Sequence, residues 1–297
     1  MADRAAALAA DLPLPSVRTP PTPAARWRRI AAKNPLGVLG TVLIALLVAT
    51  AALAGLLAPF DPVAQIARRL TAPDGIYLLG TDEFGRDILS RIIFGTRISL
   101  YVGMVSVGIA LGIGGTLGLI AGYFGGWIDN ILMRLMDVMF SIPSLVLAIA
   151  ITGILGPNLR NAMIAIGIVY TPTFARVARG PVLAVIQNEY IAAARTVGAR
   201  DGRIIFRHVL PNVTAPIIVQ TTLSLSTAIL AEAVLSFLGL GTQPPEPSWG
   251  TMLGTGRKFM ETAPWVAIFP GFAIMLAVLG FNLLGDGLRD ALDPRLK

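Results

Sequence analysis

Cysteine is absent and histidine occurs once, at His208. Disulfide cross-links and thiol chemistry are therefore excluded, and the redox compartment leaves no mark on the chain. A metal centre would need several ligands of similar kind, so a lone histidine beside Arg207 reads as an interfacial loop residue. Charge is scarce too, at 14% of residues against 55% hydrophobic, and the mean hydropathy is +0.72. That is too apolar for a soluble domain. Carboxylates inside apolar runs are nearly missing: Glu232 is one, and Asp137 lies near the end of another. With no clear internal repeat, this scarcity counts against an ion-coupled transporter. No cluster of His, Ser or acidic side chains falls at one depth, which counts against a membrane enzyme.

What is present is a series of apolar runs of roughly 20 residues, each long enough to cross about 30 Å of hydrocarbon. The expected fold class is an all-α polytopic membrane protein with six transmembrane helices, surrounded by membrane lipid. Span one runs over 36–58, span two over 99–122, span three over 131–155, span four over 161–178, span five over 213–240 and span six over 265–284. Pro143, Pro172 and Pro216 are expected to kink their spans, with Pro172 breaking the fourth. Gly108/Gly112, Gly114/Gly118 and Gly118/Gly122 are spaced for close helix packing in span two. Trp127, Trp249 and Trp265 fall at span ends, as an aromatic belt would place them.

The net charge of +7 does not indicate nucleic acid, because the basic residues sit between the apolar runs. Six precede residue 35, Arg134 stands alone, six run from Arg176 to Arg207 and three follow Leu288, leaving eight of the 24 for the other face. The two-to-one excess places both termini and the 188–212 loop inside. The first apolar run begins only after a Pro/Ala-rich leader with Arg26, Arg28, Arg29 and Lys33, which does not read as a cleaved signal. Residues 1–34 are expected to be a cytoplasmic tail, disordered over 1–24. Residues 35–97 make the first helix and an outer segment, 98–286 a five-helix core, and 287–297 a second cytoplasmic tail.

The longest charge-bearing interruption of the apolar second half is NEYIAAARTVGARDGRIIFRHVLPN, 188–212. It reads as a short bounded helix. Asn188 is placed to cap it, Glu189 suits the positive N-terminal end and Arg195 the negative C-terminal end. Gly198 stands where a left-handed residue would stop the helix. Tyr190, Ala193, Ala194 and Val197 share one face that is aromatic at one end and otherwise small. A Gly-containing turn at 200–203 is expected before the next apolar run.

This stretch resembles the EAA loop of ABC-importer permeases, whose pattern is E-A-A, three residues, G, nine residues, I-x-L-P. The matching positions are Ala192, Ala193 and Ala194, then Gly198, then His208-Val209-Leu210-Pro211. Ala192 replaces the motif's acid and His208 its isoleucine. Two further stretches, GTDEFGRDILSR (80–91) and ILAEAVLSFLGLGTQPPEPSWGTML (229–253), resemble C-type permease subunits of dipeptide, oligopeptide and nickel importers. The spacing Gly80-x4-Gly85-Arg86-Asp87 only superficially matches a phosphate-binding loop, because Arg-Asp stands where Lys-Ser/Thr is required.

The resemblance implies a type I ABC importer permease fold with a cytoplasmic coupling helix in a bacterial inner membrane. It implies no catalysis and no cofactor in this chain, ATP and Mg being handled by one or two ABC ATPase subunits. Further implied partners are a B-type permease subunit and an extracytoplasmic peptide-binding protein. Glu189, Tyr190, Ala192, Ala193, Ala194, Arg195, Gly198, Ala199, Leu210 and Pro211 are then the ATPase-coupling residues. Asp82, Arg86, Asp87 and Arg91 are expected to pair with one another in a compact outer cap. Glu232, near the outer rim of span five, is a candidate for the gate or for contact with a substrate's amino group, or else pairs with Arg97. Asp137 is expected to pair with Arg134 at i−3.

Overall fold

The structure is a computed structural model that describes residues 34–292. The leader, with Arg26, Arg28, Arg29 and Lys33, and the last residues of the C-terminal tail lie outside the described residues. The chain divides at Pro35/Leu36. Only the end of the first part is described, and the helical bundle belongs to the second.

Helix α1 (Pro35–Ala52) and a short α2 (Ala54–Leu57) form the first pass. Helix α3 (Ile88–Ala110) runs through a π-helical turn (Leu111–Gly115) into α4 (Thr116–Phe124). Helices α5 (Gly126–Phe140) and α6 (Ser144–Leu155) follow, then α7 (Leu159–Val185) and the isolated α8 (Glu189–Thr196). A turn of helix, α9 (Asp201–Ile204), passes through a second π-helical turn (Ile205–Val209) into α10 (Leu210–Phe237). Helices α11 (Trp249–Gly256) and α12 (Trp265–Leu292) complete the described fold.

Among the described residues four helical passes are long and apolar enough to cross a membrane: 35–52, 88–124, 201–237 and 265–292. The α5–α6 pair makes a fifth if taken as one broken span. The sixth long element is α7, 27 residues and about 40 Å long, with Arg160, Arg176 and Arg179 lowering its apolarity. It is the centre of the bundle, and α3, α4, α6 and α10 all pack on it. Val102, Ile166, Phe174, Ala228 and Leu235 form the core where these helices meet.

Two expectations about proline are corrected. Span three is not a kinked helix but two helices crossing at 88°. Pro143 lacks the N–H that would continue α5 and holds φ at −52° with an extended ψ, so the chain turns at Ser141–Pro143. Conversely, α7 runs unbroken through Pro172 and Pro181, and α10 through Pro216. The fourth span is therefore not broken at Pro172, and α7 is a helix on which α3, α4, α6 and α10 pack, neighbours that can cover the carbonyls its prolines free.

The glycine seam is real but shorter than its sequence pattern. A Cβ on Gly114, Gly118 or Gly122 would run into α7 at Thr171, Ala175 and Val182 respectively, whereas one on Gly108 or Gly112 would meet nothing. The first two glycines lie off the α4–α7 contact. The same device seats α1: Gly40 abuts the Leu283–Leu284 backbone of α12, and Gly280 abuts Leu43 and Ile44. Otherwise α1 is nearly bare, with only Gly37 and Gly40 buried, as suits a helix facing lipid.

Trp127 is exposed, whereas Trp249, expected in the same belt, is buried. Its indole N–H donates to the Ile92 carbonyl at 3.0 Å, and the ring fills the space left by Gly95. A buried tryptophan needs a partner for that N–H, and a second lone pair on a carbonyl near the start of α3 supplies it.

Candidate functional site

Three places carry the polar chemistry singled out in the sequence: α8 at one end of the bundle, and the 58–87 cap and Glu232 at the other.

Helix α8 has the expected bounds. It begins at Glu189, and Gly198 adopts φ +79°. The Gly198 N–H donates to the Arg195 carbonyl and the Ala199 N–H to the Ala194 carbonyl, at 2.9 and 3.0 Å. These are the paired bonds of a Schellman stop, and they need the left-handed residue that glycine provides without a Cβ penalty. Asn188 does not cap. Its side-chain amide instead donates backwards to the Val185 carbonyl at 2.9 Å, tying α8 to the end of α7.

Ile191 is the anchor, buried among Tyr123, Val182, Ile204, Val209 and Val213. Burying it stabilises the attachment by about 1.5–3 kcal/mol. The rest of the helix faces outward. Tyr190, Ala192, Ala193, Arg195 and Val197 are exposed and Ala194 half-buried; Val197 is 83% exposed. An apolar side chain that open, beside three alanines, makes a small flat surface to which another backbone can come close. At Ala192, where the motif has an acid, an exposed methyl stands.

The expected turn at 200–203 is helical instead: Asp201–Ile204 is the first turn of a continuous 37-residue element. The π-helical turn brings His208 beside Tyr190, ring centroids 6.3 Å apart. Leu210 and Pro211 follow directly on the π-helical turn inside this element, where the Leu210 N–H still donates to the Ile205 carbonyl and Pro211 has no N–H to give.

At the other end, the cap forms as expected for three of its four residues. Arg86 Nε lies 2.6 Å from Asp82 Oδ2, and Arg91 Nε 3.5 Å from the same oxygen. Asp87 takes a different role as the N-cap of α3, its Oδ2 accepting from the Ser90 N–H at 2.8 Å and hydroxyl at 2.6 Å. All four side chains are buried. Arg91 also donates to the Pro62 carbonyl at 2.7 Å, so the cluster staples the cap to α3.

Glu232 is not a rim residue in water. It is 1% exposed, and Oε1 accepts from the hydroxyls of Ser236, Thr242 and Ser248 at 2.6, 3.2 and 3.0 Å. Its Oε2 has no hydrogen-bond partner. The alternative pair with Arg97 does not form, because Arg97 donates to the Ala51 and Ala52 carbonyls. One carboxylate thus gathers the end of α10, the 238–248 loop and the start of α11. Glu232→Ala is expected to strand three buried hydroxyls and destabilise the purified protein by on the order of 1–3 kcal/mol. Glu232→Gln, which keeps an acceptor, should cost clearly less, and thermal unfolding of the two variants side by side checks the order.

Two ion pairs between α5 and α7 were missed by sequence. Arg179 meets both oxygens of Asp129 at 2.5 Å. Arg176 meets Asp137 at 2.6 Å, which displaces the expected Arg134 partner. Local spacing favoured the i−3 arginine; the chain reversal between α6 and α7 brought a better one.

Against this geometry, the sequence over 114–297 matches the family model for the binding-protein-dependent transport system inner membrane component. Residues 22–73 match the N-terminal transmembrane domain of oligopeptide transport permease C. The chain belongs to this permease family. It is 49% identical to the dipeptide transport system permease protein DppC of Alkalihalophilus pseudofirmus, over 97% of this chain and 98% of that one. It is 47% identical to the glutathione transport system permease protein GsiD of Pectobacterium atrosepticum, over 99% and 98%. The di/tripeptide transport system permease protein DppC of Pseudomonas aeruginosa is 50% identical over 91% of both chains.

An inward-facing structure of the MetNI methionine ABC transporter shares the fold, with a TM-score of 0.56 and 20% identity over 69% of this chain and 98% of that one. The permease therefore has the type I ABC importer fold. It is a non-enzymatic membrane subunit, and hydrolysis of ATP belongs to partner subunits.

Proposed function

We propose that this permease forms, with a B-type permease, the membrane pathway of an importer for di- or oligopeptides brought by an extracytoplasmic binding protein. Peptides are the reading favoured by the named solutes of its relatives: dipeptides, di/tripeptides and glutathione. One or two ABC ATPases dock on α8, with ATP and Mg held on their side. The observation that carries this is α8 itself, which is anchored by one buried isoleucine and bounded by Gly198, and otherwise offers Tyr190, Ala192, Ala193 and Val197 outward.

In this reading the 188–212 loop and both termini are cytoplasmic, and the 58–87 cap faces outward. ATP closes the ATPase pair, α8 moves with it, and the helices on which it is seated tilt to open the pathway. Hydrolysis resets them. ATP and loaded binding protein shift the equilibrium because each binds the two states unequally. Glu232 shapes the outer gate by holding the 238–248 loop against α10 and α11. The deciding experiment purifies the tagged chain from native membranes. An ATPase and a second permease should co-purify with it, and the ligand of any accompanying binding protein names the solute. A chain that purifies alone and transports in liposomes without ATP would overturn the reading.

A further inference from the structure

We propose that Tyr123 is the positioning residue through which movement of α8 reaches the second membrane pass; this rests on the reading of α8 as the ATPase-docking helix. The phenol is buried at the end of α4, and its hydroxyl donates to Asp201 Oδ1 at 2.7 Å, across 78 residues of sequence. The Arg195 guanidinium lies over the same ring, 5.6 Å from its centroid. Arg195 closes α8 and Asp201 opens α9, so Tyr123 grips the loop on both sides of Gly198. The apolar contacts of Ile191 attach α8, but such contacts are non-directional and let a helix slide or rotate. A hydrogen bond to a carboxylate fixes direction as well as distance.

The chain behind Tyr123 is suited to receive that displacement. Gly118 seats α4 on the α7 backbone at Ala175 and Gly122 seats it against Val182 and the Arg179 carbonyl, while Gly114 seats the π-helical turn on the same helix at Thr171. After Tyr123 the chain passes Gly125 and Gly126, both at positive φ, which separates α4 from α5. Before it, the π-helical turn at 111–115 interrupts the helical ladder, and such turns are places where a helix bends. Displacement at Tyr123 is thereby passed along the α4–α7 seam to the turn at 111–115. Tyr123→Phe leaves the ring in its apolar cluster and removes only the donor.

The native cysteine-free chain allows a direct test. A spin label is attached at Ile113→Cys in the tagged permease, purified with its partners, and its mobility is compared with and without ATP plus vanadate. A change of about twofold or more in mobility is expected in the otherwise native chain. Tyr123→Phe should abolish most of that response while ATP hydrolysis by the attached subunits stays within about twofold. Asp201→Ala should do the same, Asp201→Asn should keep the response because an amide oxygen still accepts, and Tyr123→Phe with Asp201→Ala should be no worse than either alone.

A native response in Tyr123→Phe, effects that add in the double variant, or Asp201→Asn failing like Asp201→Ala would each overturn the inference. If Tyr123→Phe does not assemble, the two Asp201 variants decide it alone. An unresponsive label in the native chain with the ATPase attached also overturns it, whereas an ATPase that never co-purifies overturns the docking reading beneath it.

Discussion

Gly118→Val is expected to remove nearly all folded permease from the membrane. A Cβ at this position would fall onto the backbone carbonyl of Ala175, with the Ala175 Cα 2.9 Å away. Backbone cannot rotate out of the way as a side chain can, so α4 and α7 must separate. Overpacking costs about 1–3 kcal/mol where side chains can adjust, and more is expected where they cannot. A folded protein has only about 5–15 kcal/mol in hand. The cost spreads, because α7 carries the contacts of α3, α4, α6 and α10. Gly108→Val is the control: its Cβ meets nothing within 4 Å, and it should accumulate like the native chain, apart from a helix-propensity effect of a few tenths of a kcal/mol. The monodisperse fraction in size-exclusion chromatography separates the two. Equal yields would show that the α4–α7 seam is not the contact that holds the bundle.

Gly198→Asp is expected to leave folding intact and release the ATPase. No atom lies within 4 Å of the Cβ position, so the variant meets no clash within this chain. The left-handed conformation at φ +79° costs a non-glycine residue roughly 1 kcal/mol, and Asn or Asp least among them. Gly198→Asn is therefore the matched comparison, with the same shape and the same strain but no charge. If a partner packs over the end of α8, the unpaired carboxylate should lower the co-purified ATPase by about tenfold or more, equivalent to at least about 1.4 kcal/mol. Gly198→Asn should stay within about threefold of native. Equal retention by both would mean that the end of α8 is open to water in the assembly, and the docking surface would have to lie elsewhere.

Much of this was legible in the chain, and the exceptions share a cause. Apolar length marked the passes because hydrocarbon leaves the backbone no other partner than its own helix. Gly198 announced a helix stop because few residues other than glycine tolerate its conformation. The cap motif was readable in Asp82, Arg86 and Arg91, whose opposite charges lie close along the sequence. Asn188, by contrast, had two uses for its amide and took the carbonyl behind it. Asp137 had an arginine three residues away and paired with Arg176, which no local pattern indicated. Tyr123 looked like an ordinary residue at the end of a glycine-rich run. The nearest signal was its place just before the Phe124-Gly125-Gly126 break, and that said nothing of Asp201.

The order of apolar runs, the glycines that permit a turn and the short motifs around 80–91, 188–212 and 229–253 settled the family and the α-helical membrane class without coordinates. Each depends on neighbours within a helical turn or on a run of composition, and both are written in one dimension. Which glycines of the second pass meet another helix, whether Pro143 bends or breaks, where the carboxylate of Glu232 ends up and what Tyr123 holds were decided by packing. Those outcomes depend on the rotation and crossing of helices far apart in the chain. A rotation of one residue, about 100°, would turn a helical position away from the neighbours it now meets.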